Sequence, residues 1–157
     1  MKRCIQCCVA IIIAFLPGIF GVFFTPHGQS DLWYLSLVKS GLTPPGIVFS
    51  IAWTILYLLL GFALYLIIKS ARKESEKMPG YILFGLQVLL NAAWSYLFFG
   101  LHMTAFALLV LLALFIVASW MARVFANLDR RAMALVIPYL LWMMFAFYMN
   151  AYIVLMN

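Results

Sequence analysis

Polar and charged positions are so sparse along this chain that long apolar stretches, rather than any alternation, define its elements. Uncharged runs cover 4–30, 40–68, 78–122 and 132–157, and are 27, 29, 45 and 26 residues long. A helix crossing a bilayer needs about 20 apolar residues, so the longest run holds two crossings and the others one each. Five spans are expected, at about 5–24, 46–68, 81–100, 103–123 and 132–155. Leu108 to Val117 is apolar at every position, which excludes the alternating pattern of a transmembrane β-strand. The expected fold is an all-α membrane protein, a bundle of five transmembrane helices forming one membrane domain over residues 1–157.

The first loop, residues 25–43, carries signals of its own. Ser30 or Asp31 can cap a short helix, Leu32, Trp33, Leu35 and Leu37 give it an apolar side, and Gly41 can end it. Such a helix reads as a lid over the bundle; the alternative is an interfacial helix with Trp33 and Tyr34 as aromatic anchors. Thr43 is then expected to cap the second span, with Pro44 and Pro45 in its first turn, where a missing N–H costs nothing.

Composition removes other classes. With 68% hydrophobic and 9% charged residues, against roughly 45–50% and 25% in soluble domains, a soluble globular fold is excluded. The net charge of +6 is carried by short segments between spans, which argues against nucleic acid and for membrane topology. Nine basic residues (Lys2, Arg3, Lys69, Arg72, Lys73, Lys77, Arg123, Arg130 and Arg131) fall on one side and only Lys39 on the other. In a bacterial cell membrane this places the N-terminus and both basic loops in the cytoplasm and the C-terminus outside. Lys2-Arg3 ahead of an apolar stretch also resembles a secretory signal, but the stretch reaches Phe24 without a small-x-small cleavage site and reads as a retained helix. Cys4, Cys7 and Cys8 lack a fourth thiol or a nearby histidine, so no metal site is expected from them; buried or lipidated thiols are the simpler account.

Small residues repeat every fourth position as Ala10, Ala14 and Gly18 in the first span and Ala118, Ala122 and Ala126 in the fourth, as in close helix packing. Pro17 and Pro138 should bend the first and fifth spans and leave room for a cavity. No Asp, Glu, Lys or Arg lies in the middle of a span, which disfavours proton-coupled transport. Gln87, Asn91 and Ser95 share one face of the third span with Trp94 beside them. Pro138, Trp142, Ala146 and Asn150 repeat along the fifth, and Trp53 and Tyr57 share a face of the second. These faces are either hydrogen-bonded packing surfaces or the walls of a pocket for a flat, apolar ligand with a few polar atoms.

Several separated motifs, in order and across nearly the whole chain, resemble the translocator protein or tryptophan-rich sensory protein family, also called the peripheral benzodiazepine receptor family. They are Trp33-Tyr34, Thr43-Pro44-Pro45, Phe49 through Trp53-Thr54 to Tyr57, Asn91 through Trp94-Ser95 to Phe98-Phe99, and Pro138-Tyr139 through Trp142 to Ala146 and Asn150. The resemblance implies a five-helix bundle, usually dimeric, whose first loop closes a pocket for porphyrins, sterols in some members, and benzodiazepine-type drugs. Carried over by position, it places Tyr34, Trp53, Tyr57, Asn91, Trp94, Trp142 and Ala146 around that pocket. It also implicates Trp53 and Trp142 in a light-dependent breakdown of protoporphyrin, chemistry that the ligand itself initiates. No cofactor is implied. Two departures stand out. Lys39-Ser40-Gly41-Leu42 lacks the proline and indole common before Thr-Pro-Pro, and the fifth span has no Lys or Arg after Arg131, so the sterol pattern of animal relatives is absent.

Three functions compete on this reading: binding porphyrin in tetrapyrrole sensing or stress response, enzymatic light-dependent degradation of porphyrin, and translocation of porphyrin or another lipophile. The implied partners are a porphyrin or similar flat molecule, membrane lipid and a second copy of the chain.

Overall fold

The computed structural model describes residues 2–25 and 32–157. Ser30 and Asp31, the expected lid caps, lie outside the described residues. The described chain forms α1 (Lys2–Val22), a short α2 (Leu32–Ser36), α3 (Gly46–Lys69), α4 (Glu74–Ser95) continued by a π-helical turn (Tyr96–Gly100), α5 (Thr104–Leu128) and α6 (Arg130–Met156). Five of these helices are long and apolar enough to cross a membrane, and the protein is an integral multi-pass membrane protein.

The helices run beyond the apolar stretches because their ends are chemically supported. Glu74 and Glu76 occupy the first turn of α4, where the helix dipole favours negative charge. Asp129 caps α6, its Oδ1 accepting the Arg131 N–H at 2.8 Å. Thr43, by contrast, does not cap α3. Its N–H donates to the Ser40 carbonyl at 2.9 Å, and α3 starts at Gly46, behind Pro45 at φ −54° and ψ 146°. A residue preceding proline is driven out of the helical region, so two prolines in succession delay the helix until both have passed. Gly41 does not end the lid helix either. α2 stops at Ser36, whose hydroxyl donates to the Trp33 carbonyl at 2.8 Å.

The spans close into a ring in the order α1, α3, α6, α5, α4, with α3 also touching α4. Lipid offers apolar helices no hydrophobic gain from meeting, so the ring rests on close approach and buried hydrogen bonds. Ala10 and Ala14 of α1 are fully buried. A Cβ added to Gly61 would sit 2.8 Å from the Ile11 Cα, so the α1 and α3 backbones nearly touch. Ala118 and Ala122 are buried on α5, which packs on α4 and α6. The outer surface is apolar: Leu89 is 67% and Leu109 63% exposed, a belt suited to acyl chains.

On α6 the expected face of Pro138, Trp142, Ala146 and Asn150 does not stay together. Steps of four residues drift by about 40° each around a helix of 3.6 residues per turn. Pro138 is therefore exposed, Trp142 half-buried, and Ala146 and Asn150 buried, while Tyr139 takes the fully buried position beside Pro138. At the basic end, the buried Lys77 donates to Glu74 Oε1 at 2.9 Å and to the Ile68 carbonyl at 3.2 Å, tying α4 to the end of α3.

Candidate functional site

A cavity of about 300 Å³ lies between α1, α3 and α4. Trp53 and Tyr57 of α3 and Asn91 and Trp94 of α4 line it. The indoles of Trp53 and Trp94 are nearly parallel, with centroids 6.4 Å apart, and the Tyr57 ring lies 5.4 Å from Trp53. Phe99 and Phe49 add rings toward the lid end, and Phe15, Gly18 and Gly21 supply the α1 wall. The exposed residues Ile19, Val22, Ser50 and Thr54 are also in the lining, so the cavity opens sideways between α1 and α3.

The inner end is sealed by a polar network across three helices. Tyr57 OH donates to Asn91 Oδ1 at 3.2 Å, Asn91 Nδ2 donates to Tyr139 OH at 3.0 Å, and Tyr139 OH donates to Gln87 Oε1 at 3.1 Å. All four residues are buried, so the bonds are made where water cannot replace them.

The two cavity indoles differ in what their N–H groups do. Trp94 Nε1 donates to Asn150 Oδ1 at 3.1 Å, and Asn150 Nδ2 in turn donates to the Thr104 carbonyl at 3.0 Å, so Trp94 is a structural tie from α4 to α6 and the start of α5. Trp53 Nε1 is buried with no hydrogen-bond partner among the described residues. A buried donor left unpaired costs roughly 1–3 kcal/mol, a cost that a ligand acceptor can remove.

Tyr34, Trp142 and Ala146 lie outside the cavity lining. Tyr34 packs its ring 5.8 Å from Phe99 and so backs the cavity wall from the lid. Burial raises its phenol above the ordinary value of 10.0 and keeps it protonated. Trp142 sits behind Phe49, their centroids 6.0 Å apart, and its Nε1 is also buried without a partner among the described residues. Ala146 is buried on α6.

The lid is held at both flanks. On one, Trp33 stacks on His102 and meets Phe98 edge-on at 5.9 Å. On the other, Asn157 accepts the Val38 N–H at 2.9 Å and returns a bond to the Val38 carbonyl at 3.2 Å, while Ser40 Oγ lies 2.9 Å from Tyr148 OH. Lys39 Nζ donates to the carbonyls of Tyr34 and Leu37 and fastens the segment internally. Trp33 is thus a docking residue of the lid, while Leu32 and Leu35 face outward.

The TspO/MBR family model matches residues 8–156 of this sequence. The chain belongs to the TspO/MBR family. A tryptophan-rich protein TspO from Chlorobaculum tepidum is 38% identical over 100% of this chain and 95% of its own length. A tryptophan-rich sensory protein from Cereibacter sphaeroides is 31% identical over 85% of this chain and 82% of its own. The translocator protein of Bos taurus is 34% identical over 86% and 80%. As a TspO/MBR chain, the protein has an α1 wall in its cavity that the tryptophan and tyrosine motifs do not announce. The only sequence signal for it is the small-residue stripe, since Gly18 is where the Tyr57 ring approaches α1: an added Cβ there would lie 2.7 Å from Tyr57 Cε2.

Proposed function

We propose that this protein binds a flat, apolar tetrapyrrole of the protoporphyrin type, or a drug-like molecule of similar shape, in the chamber between α1, α3 and α4. In this reading it acts in tetrapyrrole sensing or stress response as a homodimer in a bacterial cell membrane, with its basic face cytoplasmic and its C-terminus outside. The observation that carries the reading is the buried, unpartnered Trp53 N–H beside a chamber walled by aromatic rings. Rings with one open donor suit a conjugated macrocycle bearing a few acceptors. The name of the Cereibacter sphaeroides relative supports a sensory role. At about 300 Å³ the chamber is at the low end of ligand sites, which run from ≈ 300 to 1,000 Å³, so a tetrapyrrole requires the lid and α1 to give way. The sideways opening between α1 and α3 offers a path for a ligand dissolved in the bilayer.

Quenching of tryptophan fluorescence by added protoporphyrin tests this. Saturable quenching in the parent and a weaker affinity in Trp53→Phe are expected; equal affinity in both rejects the site.

Light-dependent degradation is a second reading, favoured by Trp53 alone, whose ring faces the chamber while Trp142 stands behind Phe49. Illumination with protoporphyrin should then bleach the Soret band faster in the parent than in Trp53→Phe. Carriage across the membrane is supported by the names of the translocator relatives, but the Tyr57–Asn91–Tyr139–Gln87 network stands across the chamber's inner end. Continued accumulation of porphyrin inside proteoliposomes, past the protein's binding capacity, would establish carriage.

A further inference from the structure

At the opposite end of the bundle, a second cavity of about 390 Å³ opens where the end of α3 meets the α5–α6 junction. Its rim carries three cations, Lys69, Arg72 and Arg131, and one carboxylate, Asp129. Its wall toward the membrane interior is apolar, from Leu66 and Leu128.

The cations differ in how far they are already used. Arg131 is occupied: its Nε and Nη2 donate to the two Asp129 oxygens at 3.2 and 2.9 Å. Arg72 meets the exposed Glu76 at a loose 3.7 Å. Lys69 Nζ lies 5.9 Å from the Tyr65 ring centroid. The nearby Lys77 carries the structural work of this corner by capping the Ile68 carbonyl, which leaves Lys69 and Arg72 free of that duty. Ser70, between them in the wall, has a buried hydroxyl with no hydrogen-bond partner among the described residues.

We infer that this cavity is a binding site for a phosphate ester, the headgroup phosphate of an anionic phospholipid. Lys69 and Arg72 hold the phosphate, Ser70 turns its buried hydroxyl out of the wall to join them, and Leu66 and Leu128 receive the start of the acyl region. Basic recesses between helices at a membrane face are suited to such headgroups. Asp129 limits the affinity by holding Arg131 away from the anion.

The test titrates the detergent-solubilised full chain with phosphatidylglycerol, with phosphatidylcholine of the same chain length, and with inorganic phosphate as competitor, counting bound lipid by native mass spectrometry. Phosphatidylglycerol is expected to bind in preference. Lys69→Gln and Arg72→Gln should each weaken it about fivefold, the effect of roughly one basic side chain near an anionic surface. Asp129→Asn keeps a capping side chain and should bind more tightly than the parent. Lys2→Gln with Arg3→Gln, removing two charges from the same face outside the cavity, should change nothing. Competition by inorganic phosphate would identify the free anion as an occupant of the same site, and its failure to compete would assign the site to lipid. Equal binding of the two lipids, an equal loss in the Lys2 and Arg3 variant, or no gain in Asp129→Asn would each overturn the inference.

Discussion

The imidazole of His102 lies flat on the indole of Trp33, with centroids 3.8 Å apart and planes within 9°. The two residues belong to the α4–α5 turn and to α2, so this stack is the principal ring contact between the lid and that turn. His102 also holds a left-handed backbone, φ 57°, which asparagine tolerates better than most residues. His102→Asn should therefore keep the turn and lose the stack. Aromatic pairs are worth about 0.5–1.5 kcal/mol beyond area burial, so amide exchange across residues 32–36 should accelerate by a few-fold to about tenfold. Unchanged exchange would mean that the stack adds nothing to the hold already given by Phe98, Phe99 and the Asn157 and Tyr148 flank.

The unlike roles of the two cavity indoles predict unlike variants. Trp94→Phe removes the donor to Asn150 and should destabilise the bundle by about 1 kcal/mol, read as a lower melting temperature in detergent. Trp53→Phe removes a donor that no group among the described residues uses, so its stability should stay within about 1 kcal/mol of the parent while porphyrin quenching weakens.

Tyr139 joins α6 to α4 through two bonds at once, with Asn91 and Gln87. Tyr139→Phe keeps the ring and should cost about 1–2 kcal/mol, since interhelical hydrogen bonds in membranes average near 0.6 kcal/mol and a stranded amide adds its own penalty. Gln87→Leu made together with Tyr139→Phe should recover part of that loss, because one acceptor then no longer needs a donor. Thermal unfolding of the single and double variants in the same detergent measures the coupling.

Much of this was legible in the chain itself, and the reasons for the rest are specific. Five spans follow from apolar length, because the bilayer sets one thickness for every helix. The shared face of Gln87, Asn91 and Ser95 also follows, because polar groups in lipid have one place to go; all three are buried. The start of α3 at Gly46 agrees with the span read from the sequence, but its cap does not: Thr43-Pro44-Pro45 reads as cap and first turn, whereas two adjacent prolines hold the chain extended through Pro45. Tyr139 was overshadowed by Pro138 because spacing by fours ignores the drift of a 3.6-residue helix. The contribution of α1 to the cavity depends on which helix lies next to which, and beyond the small-residue stripe its apolar stretch carries no such information. His102 on Trp33 depends on a loop returning across the bundle end, a contact between positions 69 residues apart that no local pattern encodes.

The carboxyl of Asp129 is held below its ordinary value of 3.8, first by its hydrogen bond from the Arg131 side chain and further by the backbone N–H groups that it caps. A group whose pKa is depressed on folding stabilises the fold above its unfolded pKa and loses that contribution as pH falls through the folded value. The melting temperature should thus decline as pH drops below about 4. Asp129→Asn, unable to ionise, should show a shallower decline in that window with no difference in slope near neutrality.

Gly61 and Gly18 both lie on the α1–α3 interface but should answer differently to the same added methyl. At Gly61 the new Cβ would stand 2.8 Å from the Ile11 Cα, which is backbone and can yield only if the whole of α1 moves. At Gly18 it would stand 2.7 Å from Tyr57 Cε2, a ring able to rotate. Gly61→Ala should therefore cost about 1–3 kcal/mol through overpacking and displace α1 from α3. Gly18→Ala should cost less in stability, yet it should weaken ligand binding, because the displaced Tyr57 ring moves into the cavity and strains its bond to Asn91. Melting temperature and protoporphyrin affinity measured on both variants would separate the two effects. A Gly18→Ala protein with parental affinity would show that the α1 wall does not shape the site.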